Sequence, residues 1–230
     1  YPYGPLYPLA IAPFARIAPD LEAAWIAARI LNALFVALVA VPIFLLARRL
    51  LDPWPAVAAA GLAVAIPSTK YVSLVMTESL AYLAVAWALY AMVLALERPS
   101  WPRQVAALAA VVAAAGVRTQ FAVLFVALMA AYVAVTVLVP GRLGRPSVLA
   151  RMYLPTAAAV GLGAAAMLVL PAVRGDTPEV LGGYNALWSS YDIGEVLRWI
   201  VYHLANIELY LAVIPLAVAP IVLASLYRRA

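Results

Sequence analysis

Seven apolar runs make up most of this 230-residue chain, and no other feature of the sequence restricts its fold as strongly. Most of the runs approach the length of about 20 residues with which an α-helix crosses the hydrocarbon core of a membrane. The chain is 68% hydrophobic and 11% charged, with a mean hydropathy of +1.02, values that no water-soluble core requires. The sequence therefore predicts an all-α, polytopic transmembrane bundle of about seven spans, at 26–47, 55–75, 79–96, 104–117, 121–139, 152–173 and 207–227.

The basic residues indicate an orientation. If the first run descends from outside to inside, nine of the fifteen basic residues fall in inner loops, as the positive-inside rule requires. We therefore expect a multi-pass protein of the cell membrane. The net charge of +5 is spread over several loops, which argues against a nucleic-acid partner. The nine inner residues are Arg48, Arg49, Arg98, Arg103, Arg142, Arg145, Arg151, Arg228 and Arg229, and the other six are Arg16, Arg29, Lys70, Arg118, Arg174 and Arg198.

Two segments are predicted to lie at the outer membrane surface. Residues 1–25 contain five prolines, so they cannot form one regular spanning helix and are interpreted as an interfacial segment. The outer loop 174–206 has an apolar pattern of helical period over 193–204. With Trp and Tyr around it, this pattern indicates an amphipathic helix in the headgroup region. Residues 1–230 are otherwise interpreted as a single transmembrane domain.

Local sequence signals define the first long helix, and the number of spans indicates a preceding one. Asp20 is placed as the N-cap of a helix that we expect to run through Arg49, with Arg29 and Asn32 on one face. An odd number of spans from outside to inside suggests that an earlier span and its outer loop precede Tyr1.

Charged side chains near the membrane are the candidates for chemistry, because each costs about 2.5 to 3.5 kcal/mol at the centre of a spanning helix. Arg29, Lys70 and Arg118 are all predicted on the outer side. Ordinary anchoring to lipid headgroups by long side chains explains each of them equally well. Several cations facing one leaflet would also suit the phosphate of a lipid-linked substrate.

Glu78 is a carboxylate predicted at the outer end of a span, a position that the positive-inside rule does not explain. The alternative to a functional role is an acid favoured by the dipole of its own helix. His203, the single histidine, is interpreted as an interfacial polar residue. The chain has no cysteine, and its acidic residues show no EF-hand-like spacing, so no metal ligands are predicted.

Four segments of the first 128 residues resemble a known family. They are YPYGPLYPLAIAPF, AARILNALFVALVAVPIFLLARRLL, IPSTKYVSLVMTESLAYLAVAWALYAMVLAL and AAAGVRTQFAVLFVAL. They are similar to successive blocks of the polyprenyl-phosphate-dependent glycosyltransferases of the GT-C superfamily, of the dolichyl-phosphate-mannose protein mannosyltransferase and aminoarabinose transferase type.

The resemblance implies a membrane enzyme that moves a hexosyl or pentosyl group from a polyprenyl phosphate to a hydroxyl of a glycan, lipid or protein acceptor. Transfer takes place at the outer membrane face, usually with inversion at the anomeric carbon. The family's catalytic aspartate precedes the PLYP-like block, so it is expected upstream of Tyr1. Some members of the superfamily use a divalent cation, which leaves the cation requirement open.

The resemblance also implies roles for individual residues. Glu78 matches the acidic position that opens a helix near the active site, and Lys70 and Arg118 match cations suited to the donor phosphate. Tyr7 belongs to the block that flanks the acceptor. Arg198 joins the donor-phosphate set on its charge alone, and Arg29 and Asn32 join Tyr7 on the acceptor side.

Two other functions stay open from the residues alone. A transporter or lipid flippase would use the same cations, although the prolines that interrupt spans show no repeat symmetry. A non-catalytic membrane subunit is the third reading. The excess of Arg over Lys and the abundant Ala are typical of a GC-rich prokaryote, which would place the enzyme in a prokaryotic cell envelope.

Overall fold

The structure, a computed structural model, describes the chain in five stretches, and every regular element within them is helical. The stretches are residues 4–65, 73–138, 154–159, 161–163 and 192–210. Their helices are α1 (Leu6–Ile17), α2 (Leu21–Leu38), α3 (Ala40–Ala47), α4 (Pro53–Val64), α5 (Glu78–Glu97), α6 (Trp101–Val117), a short 3₁₀ helix (Thr119–Ala122), α7 (Val123–Leu138) and α8 (Ile193–Tyr210), besides the helical residues 154–159 and 161–163.

The first helices begin and end for local reasons. The Asp20 carboxylate accepts a hydrogen bond from the Ala23 N–H at 2.8 Å, so the predicted N-cap of α2 is confirmed. The expected single helix through Arg49 is interrupted at Val39 and ends at Ala47. Pro42 has no N–H to donate to the carbonyl four residues earlier, which explains the interruption.

Two helical stretches among the described residues are long and apolar enough to cross a membrane, Leu21–Ala47 and Glu78–Glu97. The second matches the predicted run 79–96 almost residue for residue. The other apolar helices, α1, α4, α6 and α7 among them, are shorter, so the count of seven spans stays a prediction.

One predicted boundary is wrong. The run 55–75 was expected to be one span, but α4 ends at Val64 and residues 73–76 are not α-helical. The helix α8 is continuous to Tyr210, and the change from loop to span at Ile207 stays a prediction. Local apolar patterns do not reveal where a backbone turns to satisfy a tertiary contact.

The main core lies where α5, α6 and α7 meet. Small residues on α5 and α6 allow close helix approach, and larger side chains from α7 fill the remaining space. The buried set is Ala88, Met92, Ala95, Ala107, Val111, Ala114, Leu124, Leu128 and Tyr132. Large apolar side chains such as Leu21, Leu50 and Trp54 are instead exposed. That distribution is expected when the solvent around the helices is lipid.

α1 and α2 form an antiparallel helical hairpin. The helices are joined at residues 18–20, and Tyr7 near the start of α1 contacts Asn32 in the middle of α2. Asn32 lies eleven positions after Leu21, the first residue of α2, which corresponds to about 16 Å of helix at ~1.5 Å per residue. The hairpin therefore extends beyond the level at which Tyr7 and Asn32 meet.

Candidate active site

Glu78 and Arg118, 40 positions apart in sequence, form an ion pair. α5 and α6 are antiparallel neighbours, so the first residue of α5 lies beside the residue that follows α6. Arg118 Nη1 donates to Glu78 Oε1 at 2.6 Å. The side chain of Glu78 is 43% exposed and that of Arg118 is 18% exposed. The carboxylate therefore faces the surroundings, and the guanidinium lies behind it.

A second ion pair, between Arg49 and Glu97, marks the opposite end of α5. Glu78 and Glu97 are the first and last of the 20 residues of α5, and the separation between them corresponds to about 28 Å of helix, close to the ~30 Å thickness of a hydrocarbon core. The two pairs therefore lie at the levels expected for the two surfaces of a membrane. Arg98 and Arg103 gather at the Glu97 end, where Arg103 donates to the Arg98 carbonyl at 2.9 Å.

A buried polar cluster lies next to the Glu78 pair. The Tyr7 phenol donates to Asn32 Oδ1 at 3.1 Å, and Asn32 Nδ2 donates to the Leu74 carbonyl at 2.9 Å. Asn32 is fully buried and Tyr7 is 4% exposed. Burial raises the pKa of the Tyr7 phenol, the Asn32 hydrogen bond lowers it, and the negative charge of Glu78 raises it. Because the net shift is upward, Tyr7 stays protonated and able to donate.

The chain before α1 docks onto the end of α6. The Gly4 N–H donates to the Val117 carbonyl at 3.0 Å, one residue before Arg118. The approach is so close that a Cβ added at Gly4 would lie 1.9 Å from the carbonyl oxygen of Gly116. Only a residue without a Cβ fits there. The docking places the start of α1 against the same corner of the bundle as Arg118.

Of the other predicted site residues, Arg29 lies beside this corner, and no described contact brings Arg198 to it. Arg29 is exposed and lines a shallow groove with Ile26, Ile30 and Ser73, the residue before Leu74, whereas Asn32 is buried; at a spacing of three residues the two are neighbours on one side of α2. Arg198 lies on α8, where residues 192–206 are all exposed. Lys70 lies outside the described residues.

His203 lies on the exposed helix α8. Its ring centroid is 5.9 Å from that of Trp199, which in turn contacts Tyr202. This aromatic group suits the predicted position of the helix in a headgroup region, which itself stays a prediction.

A divalent cation finds no ligand cluster in the part of the chain that the structure describes. No group of three His, Cys, Asp or Glu side chains comes together there. Glu78 has Arg118, not a second carboxylate, as its neighbour.

The family model of the dolichyl-phosphate-mannose-protein mannosyltransferases matches residues 2–170, about three quarters of the chain. The chain belongs to this family. It is therefore a membrane glycosyltransferase of the class that uses a lipid-linked donor. The matched range includes α1 to α7, and thus the Glu78–Arg118 pair and the Tyr7–Asn32 cluster. No curated protein and no solved structure matches the chain significantly.

The sequence of this mannosyltransferase-family chain predicted that the candidate site residues lie on one side of the membrane. It did not reveal the backbone groups that connect them. Gly4, Gly116 and the carbonyls of Leu74 and Val117 had no signal of their own. A glycine in YPYG and another in AAAGV look like ordinary flexible positions. Only their meeting in space, at backbone contact distance, gives them a role.

Proposed function

We propose that this chain catalyses transfer of a sugar from a polyprenyl phosphate to an acceptor hydroxyl at the outer surface of the cell membrane. Arg118 binds the donor phosphate, and Glu78 orients the acceptor hydroxyl beside it. The predicted orientation places this corner outside, because the Arg-rich Arg49–Glu97 end of α5 is the one that the positive-inside rule assigns to the cytoplasm.

The observation that carries the proposal is the Glu78–Arg118 pair itself. It combines a cation and a carboxylate at one end of a spanning helix, within the residues that match the family. A guanidinium can bind two phosphate oxygens at once, which suits it to a phosphate that must be held and then released. The partly exposed carboxylate leaves room for an incoming hydroxyl on its outer side.

In the proposed reaction the acceptor oxygen attacks the anomeric carbon, and the bond from that carbon to the phosphate oxygen breaks. The electron pair stays on the departing lipid phosphate, whose charge Arg118 stabilises. The acceptor proton passes to a carboxylate, the general base that the family resemblance implies. Glu78 is assigned an orienting role because its Oε1 already accepts the Arg118 hydrogen bond. Lys70 remains the predicted second cation for the phosphate.

The proposal is tested with Glu78→Gln and Arg118→Gln in the purified full-length protein. The donor is polyprenyl-phosphate mannose, the sugar in the family's name, and transfer to a hydroxylated peptide is followed by mass spectrometry. Glu78→Gln is expected to lower the rate at least about tenfold, equivalent to roughly 1.4 kcal/mol of barrier. Arg118→Gln is expected to weaken donor binding by about one to two decades, the value of a charge-assisted hydrogen bond.

Glu97→Gln is the matched control. It breaks an Arg–Glu pair at the opposite end of the same helix, and the exposure of the Glu97 side chain, 37%, is close to the 43% of Glu78. An exposed pair contributes only about 0 to 1 kcal/mol, so transfer should stay within about twofold of the unmodified protein. Normal transfer by both Glu78→Gln and Arg118→Gln would reject the site. A loss of the same size in Glu97→Gln would show that the effect belongs to helix stability instead.

A further inference from the structure

A closed ring of contacts surrounds the candidate site. It runs from Gly4 through Tyr7 to Asn32, on to the Leu74 carbonyl, and along the chain to Glu78. Glu78 then binds Arg118, whose preceding residue accepts the Gly4 N–H and closes the ring. Four structural elements, α1, α2, α5 and α6, are joined in this way at one corner of the bundle.

Asn32 is the member that links the two halves of the ring. Both ends of its amide are hydrogen-bonded, since the oxygen accepts from Tyr7 and the nitrogen donates to the Leu74 carbonyl. A buried amide in an apolar helix is costly unless such partners are present. Its neighbours on the same face, Ala28 and Val36, are apolar and buried, so the surrounding surface offers no replacement partner.

Leu74 precedes Glu78 by four residues, in a stretch that is not α-helical. A hydrogen bond from Asn32 to its carbonyl therefore fixes where the chain enters α5, and with it the direction of the Glu78 side chain. Tyr7 fixes Asn32 in turn, because its O–H holds the amide oxygen and leaves the NH₂ group directed at Leu74. The burial of both side chains keeps an acceptor molecule from touching them directly.

We infer that Asn32 and Tyr7 are positioning residues that set the geometry of the Glu78–Arg118 pair, instead of ligands of the acceptor. This assignment rests on the proposed function for its consequence in catalysis. Its structural content, that the ion pair depends on Asn32, can be measured without any substrate.

The test is a double-mutant cycle of Glu78→Gln and Arg118→Gln, read from thermal midpoints of the purified full-length protein. The non-additive part of the shifts reports the coupling between the two charges. The cycle is then repeated in an Asn32→Leu background and in a Val36→Ala background. Val36 lies on the same face of α2 and is buried, but it makes no side-chain hydrogen bond to the ring.

In the Asn32→Leu background the coupling should fall to less than about half, and in the Val36→Ala background it should be unchanged. A general loss of stability would lower all midpoints but leave the coupling intact. Equal coupling in all backgrounds would therefore overturn the inference. If Asn32→Leu does not fold, Tyr7→Phe takes its place, since it removes one O–H and keeps the ring that fills the site.

Transfer assays separate this inference from the proposed function. If Glu78→Gln and Arg118→Gln both transfer sugar normally, the proposed site fails, whatever the coupling shows. A Tyr7→Phe variant with unchanged coupling but a raised KM for the acceptor would identify direct acceptor contact and refute the positioning role. We expect Tyr7→Phe to lower the transfer rate of the otherwise unmodified protein. In the Glu78→Gln background, Tyr7→Phe should lower the rate no further.

Discussion

Replacing Gly4 by alanine tests the docking of the first helix onto α6. The added Cβ would lie 1.9 Å from the Gly116 carbonyl oxygen and 2.4 Å from its carbon, and both atoms are backbone. Real Cβ atoms do not approach closer than 3.0 Å, so the two segments must separate by about 1.1 Å. A shift of that size would break or severely lengthen the 3.0 Å hydrogen bond from Gly4 to Val117.

The expected cost follows from these two terms. Overpacking a close contact costs about 1 to 3 kcal/mol, and a lost hydrogen bond adds about 0.5 to 1.5 kcal/mol. We therefore expect Gly4→Ala to lower the free energy of unfolding by about 1.5 to 4.5 kcal/mol. Because the docking adjoins Arg118, sugar transfer should fall as well.

Two other glycines provide a graded comparison. A Cβ at Gly116 would meet only the flexible Leu6 side chain, at 2.8 Å, so Gly116→Ala should cost less. A Cβ at Gly61, inside α4, would meet nothing within 4 Å. Gly61→Ala should therefore stabilise the protein by about 0.5 to 1 kcal/mol, the helix preference of alanine over glycine.

The assay is thermal unfolding of the full-length protein in detergent, followed by intrinsic Trp fluorescence, together with the transfer rate of each variant. The predicted order of stability is Gly61→Ala above the unmodified protein, then Gly116→Ala, then Gly4→Ala. If Gly4→Ala is as stable as Gly61→Ala, the segment before α1 does not pack on α6 and the ring of contacts is refuted.

Three further predictions concern topology, capping and a buried polar pair. In this cysteine-free chain, an impermeant thiol reagent applied to intact cells should label Asp192→Cys but not Ser100→Cys, and the opposite result would reject the orientation. Asp20→Ala should lower stability by about 1 kcal/mol with transfer unchanged, measured on the same sample; unchanged stability would show that the cap contributes nothing. Thr156→Val should lower the free energy of unfolding by about 1 to 3 kcal/mol, because it leaves the buried Gln104 oxygen unpaired. In a denaturant titration, Thr156→Val combined with Gln104→Leu should be closer in stability to the unmodified protein. Equal losses in the single and the double variant would contradict this.

Much of the helical pattern was predictable from local sequence. The α5 run and the Asp20 cap were found because each depends on residues close together in the chain. The end of α4 was not found, whereas Pro42 had been identified as a proline that interrupts a span. Residues 73–76 lie outside any α-helix, with the Leu74 carbonyl against Asn32, and such a long-range contact leaves no mark on the local apolar pattern.

The candidate site shows a similar division. Charge and the family resemblance were enough to select Glu78 and Arg118 and to place them on one side of the membrane. They could not show that the two are paired with each other, because the contact joins residues 40 positions apart. Arg29 and Asn32 looked alike at a spacing of three residues, yet α1 covers one and leaves the other exposed.

The sequence by itself thus determined that the protein is a helical membrane protein, and the resemblance of its motifs indicated a glycosyltransferase. The helical and apolar character follows from composition, period and local order, which any stretch of chain carries within itself. The tertiary structure decided which polar groups meet. Gly4, Tyr7, Asn32, Glu78 and Arg118 belong to different elements, and only the packing of α1 and α2 against α5 and α6 brings their hydrogen-bonding atoms within about 3 Å of their partners.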